Sequence, residues 1–426
     1  MPTRIFEIIH IKILISKATF ALLRVLVALI KNHILYTLFI LMNEVFFMLR
    51  KAILSSVLCI SLLTASVVTA SGLENDSVTA PSAVLMEAST GKIIYEKNSH
   101  EQRPCASVTK VMTLLLVFEA IDRGKLSLED TVTASEHAAS MGGSDIWLEN
   151  GETMSADDMI KATVVASAND AAVALAEHIS GTEDVFVEQM NNRAKELGMN
   201  DTVFKNCNGL DEDGHVTSAN DVAIMSRELT KHEKIFDYTS IWLDNLRDGK
   251  TQIVNTNKLL KTYNGITGLK TGTTDDAGCC MSATATRGDV SLISVVLGCE
   301  SGKQRFADAA ALLDYGFANI AVKELKVPEK MPKSLEVVGG MEKTVDLQCD
   351  VDSNVVVEKN SDSEIKTELD LPENLEAPIE ENQVVGSLKF TINGDTKIFD
   401  ITARQQVEKT TFGLIFNVVY NSLLAL

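Results

Sequence analysis

Three serines in this chain are followed by a lysine at the third position after them: Ser89 with Lys92, Ser107 with Lys110, and Ser363 with Lys366. Such a pair matters because a serine hydroxyl becomes a nucleophile only when a base takes its proton, and an uncharged lysine amine is one such base. Lysine in water titrates near 10.4, so it must first be discharged, by burial against apolar walls or by a second cation. The pair therefore has to stand on a buried element. Ser89 lies in Ser89-Thr90-Gly91-Lys92, a turn where these types are expected for backbone reasons. Ser363 lies in an acidic segment. Only Ser107 opens a run, Val111 to Phe118, that is apolar nearly all round and so predicts a helix buried on every side. There i and i+3 share a face, and the helix N-terminus favours developing negative charge. A few such spacings are expected by chance in a chain of this size, so the spacing alone is a weak signal.

Two further loci strengthen it. Gly268-Leu269-Lys270-Thr271-Gly272-Thr273 reads as a strand whose glycine lets another backbone approach, and Lys270 is a candidate for the second cation. Ser167-Ala168-Asn169 follows the apolar Val164-Val165-Ala166, which encloses a hydroxyl and an amide that then need partners. The same letters at Ser218-Ala219-Asn220 read instead as a helix cap, with Asp221 in the first turn.

Serine with lysine, serine with asparagine, then Lys-Thr-Gly, in that order, resembles the signature of the penicillin-recognising serine enzymes. Within that group the chain is similar to the D-alanyl-D-alanine carboxypeptidases, the low-molecular-mass penicillin-binding proteins. The likeness runs from about Ala80 to Ile320, through Arg103 to Thr113, Ser167 to Ala172, Asn206-Cys207-Asn208-Gly209-Leu210 and Gly268 to Thr274. Cys105, where a proline or another small residue is frequent, and Ala168, where glycine is frequent, depart from the pattern without touching the reacting groups. The resemblance implies that Ser107 attacks the penultimate D-alanine carbonyl, Lys110 takes its proton and Ser167 relays a proton to the leaving amine. It implies an oxyanion hole from the Ser107 and Thr273 N–H groups, a contact from Asn169 to the substrate amide, and positive potential from Lys270. Thr271, Thr273 and Arg305 become candidates for the terminal carboxylate. The expected partners are a peptidoglycan stem peptide ending in D-Ala-D-Ala and β-lactams. No metal and no cofactor is expected.

The elements that must position these residues can be read from pattern. Ala83 to Lys97 predicts a β-hairpin, and helices fit Ser107 to about Gly124, Ser155 to Thr163, Ser167 to Ile179, Glu183 to Leu197 and Ser218 to Leu229. Strands return at 270–273, 281–287 and 290–297, before a helix over 302–320. This is α/β text with an antiparallel sheet and surrounding helices, and with the resemblance it becomes a β-lactamase/transpeptidase-like domain over 80–322. Short strands around the acidic stretch 361–381 predict a small all-β domain over 325–405. The apolar tail 409–426, without charge from Thr410 on, predicts a surface helix that seeks lipid or a partner, and is assigned to a membrane surface.

The 426 residues are 46% hydrophobic and 23% charged with 7 prolines, which excludes disordered and collagen-like chains. The formal charge is −19, and it is uneven: residues 1–70 hold 7 Lys and Arg against 2 acids, the rest 32 against 56. So acidic a body argues against nucleic-acid binding. Residues 1–70 read as a hydrophobic extension ending in an export signal over 48–70, with Arg50 and Lys51, an apolar core and small residues before cleavage after Ala70. The protein is thus expected on the outer face of the cytoplasmic membrane or in the extracytoplasmic space. The six cysteines beyond the signal show no repeated spacing, which argues against a disulfide scaffold or a zinc site.

Three other readings compete. A β-lactamase would need a deacylating glutamate, for which Glu196 with Asn200 is a superficial match, but the helix pattern runs through Leu197 to Gly198. A thiol hydrolase would use Cys105 or Cys279 with His215, yet nothing positions a base beside either. A catalytically silent penicillin- or wall-binding protein would keep the fold without the reaction.

Overall fold

Strand Ser82–Glu87 (β1) is buried along its whole length and pairs antiparallel with Ile93–Lys97 (β2). The connecting turn is organised by Glu87, whose carboxylate accepts from the N–H and hydroxyl groups of both Ser89 and Thr90 at 2.6–3.0 Å. Ser89 is thereby a turn residue and Lys92 is exposed, so this pair lacks the buried lysine the chemistry requires. The computed structural model describes residues 77–424 apart from 352, 360–364 and 393. The predicted extension and export signal over 1–70, and Ser363, lie outside the described residues.

A 3₁₀ turn at Ala106–Thr109 leads into helix Lys110–Asp122 (α1), buried from Lys110 to Ala120 as its unbroken apolar run dictates. Two short strands, Thr131–Thr133 (β3) and Thr153–Ser155 (β4), pair beside it around the four-residue helix Glu136–Ala139 (α2). Helices Ala156–Lys161 (α3), Asn169–Ser180 (α4), Glu183–Glu196 (α5), Ala219–Thr230 (α6) and Ile235–Thr239 (α7) follow. Ser155, Thr182 and Ser218 cap their helices by accepting a backbone N–H three residues on, the expected work of hydroxyls at these positions.

Leu243–Leu246 (β5) and Thr251–Val254 (β6) form a second hairpin, after which Ile266–Thr274 (β7), Gly278–Arg287 (β8) and Val290–Cys299 (β9) complete a five-stranded sheet. Its order is β2-β1-β9-β8-β7, antiparallel throughout, with β7 at the edge. Helix Gly302–Asn319 (α8) packs Leu312, Leu313 and Phe317 on one face, and the helical group centred on α1 covers the other.

Beyond α8 the chain is all β until its tail. Ile320–Glu324 (β10) pairs with Asn354–Glu358 (β13), while Ser334–Val338 (β11), Thr344–Gln348 (β12), Lys366–Asp370 (β14), Asn374–Glu376 (β15), Val384–Ile392 (β16) and Asp395–Ala403 (β17) form a sheet of order β14-β16-β17-β12-β11-β15. Two strands sit inside the acidic stretch 361–381, around which, rather than within which, the sequence pattern predicts short strands. β14 is almost wholly exposed and is held by backbone pairing with β16, so its charges do not exclude it from a sheet edge. The tail forms helix Phe412–Leu424 (α9), with Phe412, Ile415, Phe416 and Tyr420 exposed. Among the described residues no helix is long and apolar enough to cross a membrane.

Candidate active site

Ser107 sits in the 3₁₀ turn one residue after Ala106, whose φ of 51° is a left-handed conformation costly for a residue with a Cβ. The turn is fixed from two sides by glycines. A Cβ on Gly209 would lie 2.0 Å from the Ala106 carbonyl oxygen, and one on Gly272 of β7 would lie 2.6 Å from the Cys105 oxygen and 2.8 Å from the Ser107 nitrogen. Bare backbone at these two positions lets one loop and the sheet edge close on the serine.

Lys110 is fully buried behind a partly exposed Ser107. Its Nζ reaches Ser107 Oγ at 3.0 Å, Asn169 Oδ1 at 2.5 Å and the Asn208 carbonyl at 2.7 Å. Two of these partners, the amide oxygen and the carbonyl, can only accept. A neutral amine has two N–H groups and one lone pair, so with both N–H groups spent on the acceptors the lone pair is left facing the Ser107 hydroxyl. Burial brings the lysine pKa down to about 7, partly opposed by the Asp170 carboxylate, so the neutral amine is accessible near neutrality.

Lys270 on β7 is also buried, and its Nζ donates to Ser167 Oγ at 2.7 Å and to the Thr271 carbonyl at 3.0 Å. Burial first, then the charges of Lys110 and Arg305, hold its pKa well below the ordinary lysine value. Burial is the main cause of the downward shift at both lysines, and the two buried amines disfavour each other's charged form. Ser167 takes a left-handed φ of 62° at the end of a π-helical turn, Ala162–Ala166, which turns its hydroxyl to Lys270.

Asn169, at the start of α4, is committed at both ends of its amide, with Oδ1 accepting from Lys110 and Nδ2 donating to Gly142 O at 2.7 Å. Its neighbour Asp170 accepts from the Ile146 and Leu148 N–H groups, so α4 fastens the 142–148 loop beside the site. Thr271 donates its hydroxyl to Thr256 Oγ1 at 2.7 Å. Thr273 Oγ1 accepts from Arg305 Nη1 at 3.0 Å, and the same Nη1 donates to Gly272 O at 2.8 Å and Cys280 O at 3.3 Å. Arg305 is mostly buried and grips the rear of β7.

All eight candidate residues thus come together around the β7 edge and the start of α1. Sequence reasoning missed the Asn208 carbonyl, a backbone acceptor that no residue type announces, although the Asn206–Leu210 segment had been singled out. Glu196 lies exposed in an ion pair with Arg193 at 3.1 Å, unsuited to act on an acyl-enzyme. Cys105 is buried with its thiol pushed up to about 11, so it lacks a thiolate. His215 Nδ1 accepts from Lys205 N, which leaves Nε2–H to donate to Thr109 Oγ1 at 2.9 Å, a structural tie between the 205–215 loop and the nucleophile turn. No cluster able to hold a metal occurs among the described residues.

Residues 68–301 match the family model described as D-alanyl-D-alanine carboxypeptidase, and residues 323–409 match that of the penicillin-binding protein 5 C-terminal domain. A curated D-alanyl-D-alanine carboxypeptidase, DacF of Bacillus subtilis, is 42% identical over 338 residues, 78% of this chain and 87% of that one. Penicillin-binding protein 5 from Haemophilus influenzae superposes with a TM-score of 0.70 at 31% identity, covering 79% of this chain and 100% of its own. Penicillin-binding protein D2 from Listeria monocytogenes, solved in its ampicillin-bound form, superposes with a TM-score of 0.53 at 34% identity, over 57% of this chain and 100% of that one.

Proposed function

The chain belongs to the D-alanyl-D-alanine carboxypeptidase family, and on that premise we propose that it is a serine-type carboxypeptidase that removes the terminal D-alanine from peptidoglycan stem peptides through an acyl-enzyme and is inhibited by penicillin. The observation that carries this reading is the Lys110 amine, with two acceptors taking its N–H groups and its lone pair left to Ser107.

In the reaction, Lys110 takes the Ser107 proton as Oγ attacks the penultimate D-alanine carbonyl. The Ser107 and Thr273 N–H groups receive the developing oxyanion, a term worth about 3 to 4 kcal/mol per donor. Ser167 passes a proton to the departing D-alanine amine, and water hydrolyses the ester with Lys110 again as base. The substrate carboxylate lands at Lys270, Thr271 and Thr273; its charge restores a proton to Lys270, so the positive potential there is supplied on binding. Arg305 acts on the carboxylate through Thr273, whose hydroxyl it holds. Asn169 first orients Lys110, and a substrate amide engages it by replacing the Gly142 carbonyl.

The ampicillin-bound relative supports β-lactams as partners, since a β-lactam carbonyl offers the same electrophile to Ser107. Peptidoglycan as substrate places the protein outside the cytoplasm, with the export signal at 48–70 as its route and 80–322 and 325–405 as catalytic and β domains. The exposed apolar residues of α9 rest on the membrane surface in this reading, where Phe412, Phe416 and Tyr420 stack along one side.

Intact mass before and after benzylpenicillin tests the proposal: one adduct per chain is expected for the wild type, none for Ser107→Ala. An adduct on that variant would overturn the nucleophile assignment, and a wild type that takes up none would leave the silent reading standing.

A further inference from the structure

We propose that Cys279 and Cys299 are the two halves of a cross-strand disulfide, a modification site on the sheet directly behind the proposed active-site strand. The two residues face each other across β8 and β9 as register partners. Residues directly opposite in an antiparallel pair have Cα atoms about 4.5–5.5 Å apart, inside the range a disulfide spans.

Their meeting depends on an irregularity in β9. Along this strand Val290, Leu292 and Val296 pack into the core under α8, whereas Ile293, Val295 and Leu297 pack into the core around α1. By simple alternation Cys299 would join the second set. Between the pairs Met281↔Val296 and Cys279↔Cys299, β8 advances two residues and β9 three. The extra residue reverses the facing, as a β-bulge does, and Cys299 packs with Met281, Ala283 and the α8 side chains, where Cys279 also packs. Cys280 and Cys105 lie on the opposite face.

Access is asymmetric. Cys299 is fully buried and Cys279 is partly exposed, next to Thr273, whose Oγ1 donates to its Sγ at 3.8 Å. The route is thiol–disulfide exchange with an external disulfide. The Cys279 thiolate attacks it, releasing one thiol and leaving a mixed disulfide; Cys299 then attacks the Cys279 sulfur and releases the second. Two protons and two electrons pass from the protein to the reagent, which leaves as two thiols. The six cysteines among the described residues are free thiols, and the bond requires no change of strand pairing.

Incubation of the full chain with oxidised glutathione, alkylation of residual thiols and non-reducing peptide mapping tests this. The expected product is a chain 2 Da lighter, with one cross-linked peptide joining Cys279 to Cys299, while Cys105 and Cys280 remain alkylatable after denaturation. In Cys299→Ser, Cys279 is expected to stop at the mixed disulfide with glutathione. A wild type in which Cys279 likewise stops at the mixed disulfide, or a bridge joining any other pair, would overturn the proposal; neither result bears on the penicillin-adduct test.

Discussion

Lys270 Nζ lies 2.7 Å from Ser167 Oγ, a hydrogen bond that joins the edge strand to the turn before α4 across 103 positions of sequence. Because this amine has no carboxylate partner among the described residues and is buried beside other cations, its charge depends on what enters the site. Lys270→Ala is therefore expected to slow acylation by benzylpenicillin about 100-fold or more, the scale of removing one preorganised electrostatic contact. Second-order acylation rates from stopped-flow or rapid quench measure this, and an unchanged rate would remove Lys270 from the site.

The Lys110 pair predicts a pH profile. With its pKa brought down to about 7 by burial, Lys110 is protonated below that pH and free to accept a proton above it. The acylation rate of the free enzyme should rise as pH increases through about 7 and then level off. Lys110→Arg keeps a cation that does not deprotonate, so the rising limb should vanish along with at least 1000-fold in rate. A wild-type profile flat from pH 5 to 9 would count against the general base.

Gly272 offers a test of the sheet edge without touching a reacting group. In Gly272→Ala the new Cβ meets the Cys105 oxygen at 2.6 Å and the Ser107 nitrogen at 2.8 Å, both backbone atoms that cannot swing aside. Strand β7 must retreat from the nucleophile turn, which separates the two N–H groups of the proposed oxyanion hole. Acylation should fall by about 100-fold, while the melting temperature changes by only a few degrees. Wild-type acylation by this variant would mean the close approach is incidental.

How much of this was legible beforehand follows from what kind of group does each job. The roles proposed for Ser107, Lys110, Ser167 and Lys270 belong to side chains at fixed spacing on strongly patterned elements, so residue types and order pointed to them. The Asn208 carbonyl holds Lys110 as firmly as Asn169 does, yet any residue could supply it, and only the loop closing at Gly209 puts it there. Arg305 could be tied to the site by resemblance, but its grip on Thr273 and Gly272 depends on α8 packing under β8 and β9. How far each lysine is discharged turns on its burial and, at Lys110, on the opposing Asp170 carboxylate, both tertiary quantities. In the second domain β14 was hidden by its charges, since an edge strand held by backbone pairing needs no apolar alternation.

His215 ties this site to acid stability. Burial holds its imidazole at about 4 in the folded chain, below the ordinary 6.5, with Nδ1 accepting from Lys205 N and Nε2 donating to Thr109. Between those two values the unfolded chain binds a proton that the folded chain does not, so stability falls as pH drops from about 6.5 to about 4. A shift of this size corresponds to roughly 3 kcal/mol over the window. Protonation would also place a donor at Nδ1 against the Lys205 N–H, loosening the 205–215 loop that carries Asn208 to Lys110. His215→Gln is expected to be less stable than wild type at pH 7 but to lose less stability between pH 6.5 and 4, and denaturant titrations at several pH values measure both. Parallel curves for the two proteins would show that His215 does not set the acid limit.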